Sequence, residues 1–173
     1  MKSVWILRHG KAASKSTKGD DHGRALTARG RRQSAEAATY VAEKLSSGTA
    51  APDLVLSSSA ARARATAEPV HAALGDGVPM DIEPGLYGAD ADDVVDRLRL
   101  LSDDIDGVVI VGHNPTFQEL ALRLVSPDDA TGHSRLEEGF PTAALAIVTL
   151  DITKWSQLAA GGGRLEDFFV PSR

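Results

Sequence analysis

A chain of 173 residues has the length of one ordinary domain, so a single domain spanning residues 1–173 is expected. With 42% hydrophobic and 25% charged residues it has the balance of a globular protein rather than a disordered one. The lack of cysteine excludes disulfides, thiol nucleophiles and cysteine-ligated metal centres, and the net charge is −5.

The first apolar segment is residues 3–7, within MKSVWILRHGK. It reads as a buried strand that ends abruptly in Arg8, His9 and Gly10. A polar loop over 12–23 follows. Thr27 then stands before an alanine-rich helix over 28–45, where a threonine side chain caps the first turn. Residues 54–57 form a second short apolar strand, and a serine run leads into a helix over 60–74 that Gly75 ends. Residues 80–82 are a weaker strand candidate. A helix over 92–101 places Val94, Val95, Leu98 and Leu101 at helical spacing. The strand over 108–112 gives way to a helix over 115–125 with proline at the favoured first-turn position. A longer run over 143–151 predicts a further strand, 159–163 a flexible turn, and 168–170 a short last strand. Strands alternating with helices imply an α/β fold. The expected form is a three-layer sandwich, with a mostly parallel central sheet and helices on both faces.

The charge is unevenly placed. Residues 1–32 hold nine Lys and Arg against two Asp, while residues 76–106 hold ten acids against Arg97 and Arg99. A basic segment in an acidic chain points to a local anion site, and not to a nucleic-acid surface. No apolar run approaches the ~20 residues of a membrane span. Val4 to Leu7 is shorter than the ~7–15-residue core of a secretory leader. A cytoplasmic monomer is expected.

In open α/β folds ligands bind outside the carboxyl ends of the strands. Arg8, His9 and Gly10 follow the first strand. Ser58 follows the second, ahead of a helix whose first turn carries Arg62. His113 and Asn114 follow the strand at 108–112. Two guanidiniums match phosphate oxygens as planar forks, and helix starts after Ser59 and Asn114 add backbone donors. A neutral imidazole in that field is a nucleophile towards phosphorus, and the surrounding positive charge depresses its pKa. Activity is expected to fall at acid pH as His9 takes up a proton. Ser58 reads either as a phosphate ligand or as the cap of the helix carrying Arg62, and Asn114 as a helix cap. His22 reads as a solvent-exposed loop residue and His71 as structural.

These residues also resemble a family. LRHG, SSAARARATA and VGHNP are similar, in order, to the signatures of the histidine phosphatase superfamily, the phosphoglycerate mutase-like fold. Its S-P-x-x-R-A-x-x-T-A pattern falls on Ser58, Arg62, Ala63, Thr66 and Ala67, with Ser59 where the proline usually stands. Its L-T-x-x-G falls on Leu26, Thr27 and Gly30. The short chain and RHGKA resemble the SixA-like branch, associated with phosphohistidine protein phosphatases. The resemblance implies that His9 is the nucleophile, that Arg8 and Arg62 clamp the phosphoryl group, and that His113 donates to its oxygens. Gly10, Ser58 and Asn114 would complete phosphate binding. No cofactor and no metal are implied.

One departure stands out. The superfamily's general-acid glutamate follows a leucine in mid-chain, but here Leu86 is followed by Tyr87 and Gly88. Asp90 and Asp92 are the nearby candidates for an acid, or else they favour a helix start. An alkoxide leaving group needs a proton, whereas an imidazole is a far better leaving group. A missing acid therefore favours phosphohistidine in a protein as substrate. A small phosphorylated metabolite remains the first alternative. A phosphate- or phosphoprotein-binding module without turnover is the second. A metal hydrolase is the weakest reading, for want of an H-E-x-x-H or an i,i+4 histidine pair.

Overall fold

The computed structural model describes residues 1–173. Six strands form one sheet: β1 (Lys2–Arg8), β2 (Leu54–Ser58), β3 (Met80–Glu83), β4 (Gly107–Gly112), β5 (Leu145–Leu150) and β6 (Gly163–Phe169). Five helices accompany them: α1 (Ala28–Ser46), α2 (Ala61–Leu74), α3 (Ala91–Arg99), α4 (Thr116–Leu124) and α5 (Ala130–Glu137). The strand order is β3-β2-β4-β1-β5-β6.

The sheet divides the apolar residues by their alternation along each strand. Val4, Ile6, Leu54, Leu56, Val108 and Ile110 pack on the side of α3, α4 and α5, with Leu98, Leu120 and Leu136. Trp5, Leu7, Val55, Val109 and Val111 pack on the opposite side, against Ala37, Val41, Ala63 and Val70 of α1 and α2. Both faces are covered, which is why the strands read as unbroken apolar runs.

The sheet is mixed rather than uniformly parallel. β1 pairs in parallel with β4, and β2 with both β3 and β4; β5 runs antiparallel to β1 and to β6. The last strand starts at Gly163, inside the segment read as a flexible turn, and α5 was not expected. Only Gly132 and Leu136 of α5 are buried, too few to write a helical period into the sequence.

The registers place the site. Arg8 is opposite Gly112, and Ser57 opposite Val111, so β1, β2 and β4 end side by side. β5 starts next to the same end, where the backbone N–H of Arg8 donates to Ala144 O. At the other end of β1, the Lys2 side chain is only 3% exposed. Its ammonium donates to Asp103 O, Ile105 O and the Asp106 carboxylate at 2.6–2.9 Å. No helix is long and apolar enough to cross a membrane.

Candidate active site

β1 delivers Arg8 and His9, and the turn after it is fixed by α1 and α2. The Gly10 N–H donates to Thr66 Oγ1 at 2.9 Å, and the Lys11 N–H donates to Gln33 Oε1 at 2.8 Å. Thr27 caps α1 by accepting from the Gly30 N–H, while its own N–H donates to Lys11 O. The two backbones nearly touch. A Cβ on Gly30 would lie 2.1 Å from Lys11 O, and one on Gly10 would lie 2.7 Å from Gly30 O. Both glycines are required by close approach rather than by backbone angle.

His9 is buried, with 9% of its surface exposed. Its Nε2 lies 3.3 Å from Arg62 Nε, which can only donate, so Nε2 carries the lone pair. Nδ1 then holds the proton and donates to Gly10 O at 2.8 Å. Burial lowers the His9 pKa from 6.5 to about 3, and His113, Arg62 and Arg8 push the same way against the raising effect of Gly10 O. The ring is a neutral imidazole with its free nitrogen facing guanidinium charge.

His113 follows β4, its ring centroid 5.1 Å from that of His9. Ser58 Oγ lies 2.7 Å from its Nε2 and also accepts from the Ala60 N–H at 3.3 Å. Ser58 thus joins the residue before α2 to His113, a contact the sequence did not suggest, while α2 itself has no side-chain cap. Burial, then Arg62, lowers the His113 pKa to about 4, with Asp21 opposing. The buried Nδ1 of His113 and Nε of Arg8 have no partner in the protein. Arg8 NH1 and the Asn114 amide both donate to Phe140 O, at 2.9 and 3.0 Å. Asn114 is not the N-cap of α4, which is Pro115, but its Oδ1 accepts from the Gln118 N–H in the first turn at 3.2 Å.

The fold thus brings together Arg8, His9, Gly10, Ser58, Arg62, His113 and Asn114. Asp90 and Asp92 are engaged elsewhere. Asp90 caps α3 through a reciprocal capping box with Asp93. Asp92 is ion-paired with Arg123 on α4.

Two residues enter that the sequence reading passed over. Asp21, from the polar loop, accepts from Arg62 through its backbone O (2.9 Å) and its Oδ2 (3.2 Å). It also accepts from Arg24 Nε at 2.9 Å and from the Tyr87 hydroxyl at 2.6 Å. Tyr87 occupies the position directly after Leu86. Its ring meets His113 edge-on at 5.7 Å and His22 at 4.8 Å. His22 is half-buried rather than exposed, with Ser59 Oγ 2.9 Å from its Nε2. The Tyr87 hydrogen bond and Arg62 hold the Asp21 pKa at about 2, and the same bond raises that of Tyr87. The one signal available was Tyr87 itself, an aromatic residue where an acid was looked for.

A separate cavity of about 400 Å³ opens at the other end of β1, beside Lys2, Trp5 and Lys44. Its lysines are already matched, Lys2 with Asp106 and Lys44 with Asp167. Arg8, His9, Ser58 and His113 stand at the opposite ends of the strands.

Comparison with known proteins places the chain in a family. The profile of the histidine phosphatase superfamily (branch 1) matches residues 4–99. An uncharacterized protein of Mycobacterium tuberculosis is 33% identical over 95% of this chain and 99% of its own. A crystal structure from Agrobacterium tumefaciens assigned as the phosphohistidine phosphatase SixA superposes with a TM-score of 0.80 at 29% identity, over 98% of both chains. The protein histidine phosphatase SixA bound to tungstate gives 0.72 at 27% identity, over 96% of this chain and 95% of that one. With strand ends, helix starts and family signatures falling on the same side chains, the chain belongs to branch 1 of the histidine phosphatase superfamily.

Proposed function

We propose that the protein is a protein phosphohistidine phosphatase that works through a phosphorylated His9. The observation that carries this reading is the state of the groups on either side of the reacting position. His9 presents a neutral Nε2 to the pocket, and of the two groups nearest it on the far side, Asp21 is ionised and Tyr87 commits its proton to the Asp21 carboxylate.

Phosphoryl oxygens bind between Arg8, Arg62 and His113. Arg8 Nε and His113 Nδ1, buried without protein partners, suit that role, because buried polar groups are ordinarily satisfied. An incoming oxygen takes over the Arg62 Nε–H from His9 and frees the lone pair. The lone pair then attacks phosphorus in line with the leaving atom. As negative charge spreads over the equatorial oxygens the fixed guanidiniums bind it more tightly, which lowers the barrier. Positive charge gathering on the His9 ring is shared with Gly10 O through Nδ1–H. Water then attacks phospho-His9 and releases phosphate.

The leaving group decides the substrate class. Asp21 is ionised at neutral pH, and the Tyr87 proton is held more tightly than in a free phenol. A sugar or alkyl phosphate would leave as an alkoxide without the 10²–10⁴-fold help of a general acid. A phosphorylated imidazole needs no such help. The similarity to SixA proteins supports the same substrate class.

The test is a comparison of kcat/KM on a phosphohistidine-bearing peptide with a panel of alkyl and sugar phosphates, with His9→Ala as control. Strong preference for phosphohistidine, lost in the control, is the expected result. Preference for one sugar phosphate would replace this reading with a small-molecule phosphatase.

A further inference from the structure

We propose that Asp21 and Tyr87 form a leaving-group subsite that recognises the protonated imidazole ring of a phosphohistidine substrate. The proposal rests on the phosphohistidine reading above and assigns residues to the half of the site that reading leaves open. Arg62 is held from both of its ends. Its Nε faces His9, while NH1 and NH2 point to the Asp21 carbonyl and carboxylate. The guanidinium therefore spans from the nucleophile to Asp21. In-line displacement puts the leaving atom on the side of phosphorus away from the His9 lone pair. That is the outer end of Arg62, where the Asp21 side chain is 54% exposed.

Asp21 is equipped to accept there. An ionised carboxylate has about four lone-pair positions. Here three are used, by Arg24 on Oδ1 and by Arg62 and Tyr87 on Oδ2. Oδ1 keeps one position for a ligand. The Tyr87 ring stands beside this carboxylate, nearly perpendicular to the His113 and His22 rings and with the Arg62 guanidinium 6.0 Å from its centroid, so it can serve as an aromatic wall for a planar ring.

The chemistry balances without an acid. The substrate ring is bonded to phosphorus through one nitrogen and protonated on the other, and that N–H donates to Asp21. The His9 Nε2–P bond forms as the substrate P–N bond breaks. The bonding pair stays on the departing ring, which leaves as neutral imidazole with its proton in place. The positive charge passes to the His9 ring, whose Nδ1–H rests on Gly10 O. No proton changes hands, so the phosphoryl group moves between two like imidazoles, each with its N–H accepted by an oxygen. An alkoxide in the same place would face the ionised Asp21 and have no proton to take.

The experiment uses the full chain and measures the ratio of kcat/KM on a phosphohistidine-bearing peptide to that on p-nitrophenyl phosphate, whose leaving group needs no acid. Asp21→Asn is expected to lower this ratio at least tenfold, and Asp21→Glu to restore most of it. Tyr87→Ala, which keeps the carboxylate and removes the wall, is expected to lower the ratio as well, and it serves if the Asp21 variants do not fold. A ratio unchanged in these variants, even with both activities reduced, would mean that Asp21 only holds Arg62 in place, and would overturn the proposal. A wild-type protein that hydrolyses p-nitrophenyl phosphate but not the peptide would overturn the phosphohistidine reading itself, whatever the variants do.

Discussion

Arg62 donates through Nε to Nε2 of His9 across 3.3 Å, and that single contact assigns the His9 proton to Nδ1. The arginine is 5% exposed and held from its other edge by Asp21, so it stands ready before any substrate arrives. A lysine is a single point charge and cannot span these positions as a fork does. Arg62→Lys should therefore lower kcat/KM on p-nitrophenyl phosphate by about 10²–10³, the scale for one preorganised charge stabiliser. Steady-state kinetics beside a circular dichroism spectrum checks this. A loss under tenfold in a folded variant would place Arg62 outside the reacting centre.

His9→Ala should abolish turnover and the covalent phosphoenzyme together. Its imidazole makes two hydrogen bonds and packs beside His113, so some stability is lost too, but the fold should persist. Intact-mass spectrometry after rapid mixing with substrate reads the phosphoenzyme. A phosphorylated species in the variant would move the nucleophile elsewhere.

The pH profile distinguishes a buried imidazole from an exposed one. The sequence reading expects activity to fall as His9 protonates, and the structure lowers the pH at which that happens. With the pKa near 3 for His9 and 4 for His113, both rings are neutral throughout the ordinary assay range. Once substrate ionisation is allowed for, kcat/KM on p-nitrophenyl phosphate should stay level from pH 8 through 6.5 and fall only towards 4. A midpoint near 6.5 would mean that His9 titrates as if exposed to water.

The same shifts act on stability. Unfolded histidines take up protons near pH 6.5 while the folded ones resist, so the unfolded state binds more protons in between. Both folded pKa values are depressed, so the stability is complete above pH 6.5 and is lost as pH falls towards 4 and 3. Each unit of difference corresponds to about 1.4 kcal/mol. Thermal melts from pH 7.5 to 4.5 should show a falling Tm, and His9→Gln should make that decline shallower. Equal slopes in the two proteins would mean that His9 is not held neutral by burial.

Gly30→Ala should cost about 1–3 kcal/mol, the range for overpacking. The added methyl would meet Lys11 O at 2.1 Å, and a backbone oxygen cannot rotate aside. The shift falls on the turn that carries His9, so kcat should drop by more than the change in folded fraction accounts for. Denaturant unfolding and kinetics on the same sample separate the two.

Much of this was legible because the relevant residues carry strong local patterns. Strands buried on both faces leave apolar runs such as Val108 to Val111, and the signatures around His9, Arg62 and His113 sit where those runs stop. Other features leave no period. Asp21 lies in an irregular polar loop, and its importance comes from meeting Arg62, forty-one positions away. Tyr87 ends a single turn of 3-10 helix. The direction of β5 and β6 was hidden for a different reason, since an apolar run covered on both faces reads the same whichever way it pairs.

The ammonium of Lys2 has a mechanical consequence for the other end of its strand. β1 is gripped by three oxygens at its first residue, and Arg8 at its last is anchored to Phe140 O. Sliding by one residue, ~3.3 Å, would tear the cation from its cage and turn every side chain of the strand to the wrong face. The strand therefore acts as a tie-rod of fixed length, and the axial position of His9 is set six residues upstream of Arg8, by a lysine that never approaches the substrate.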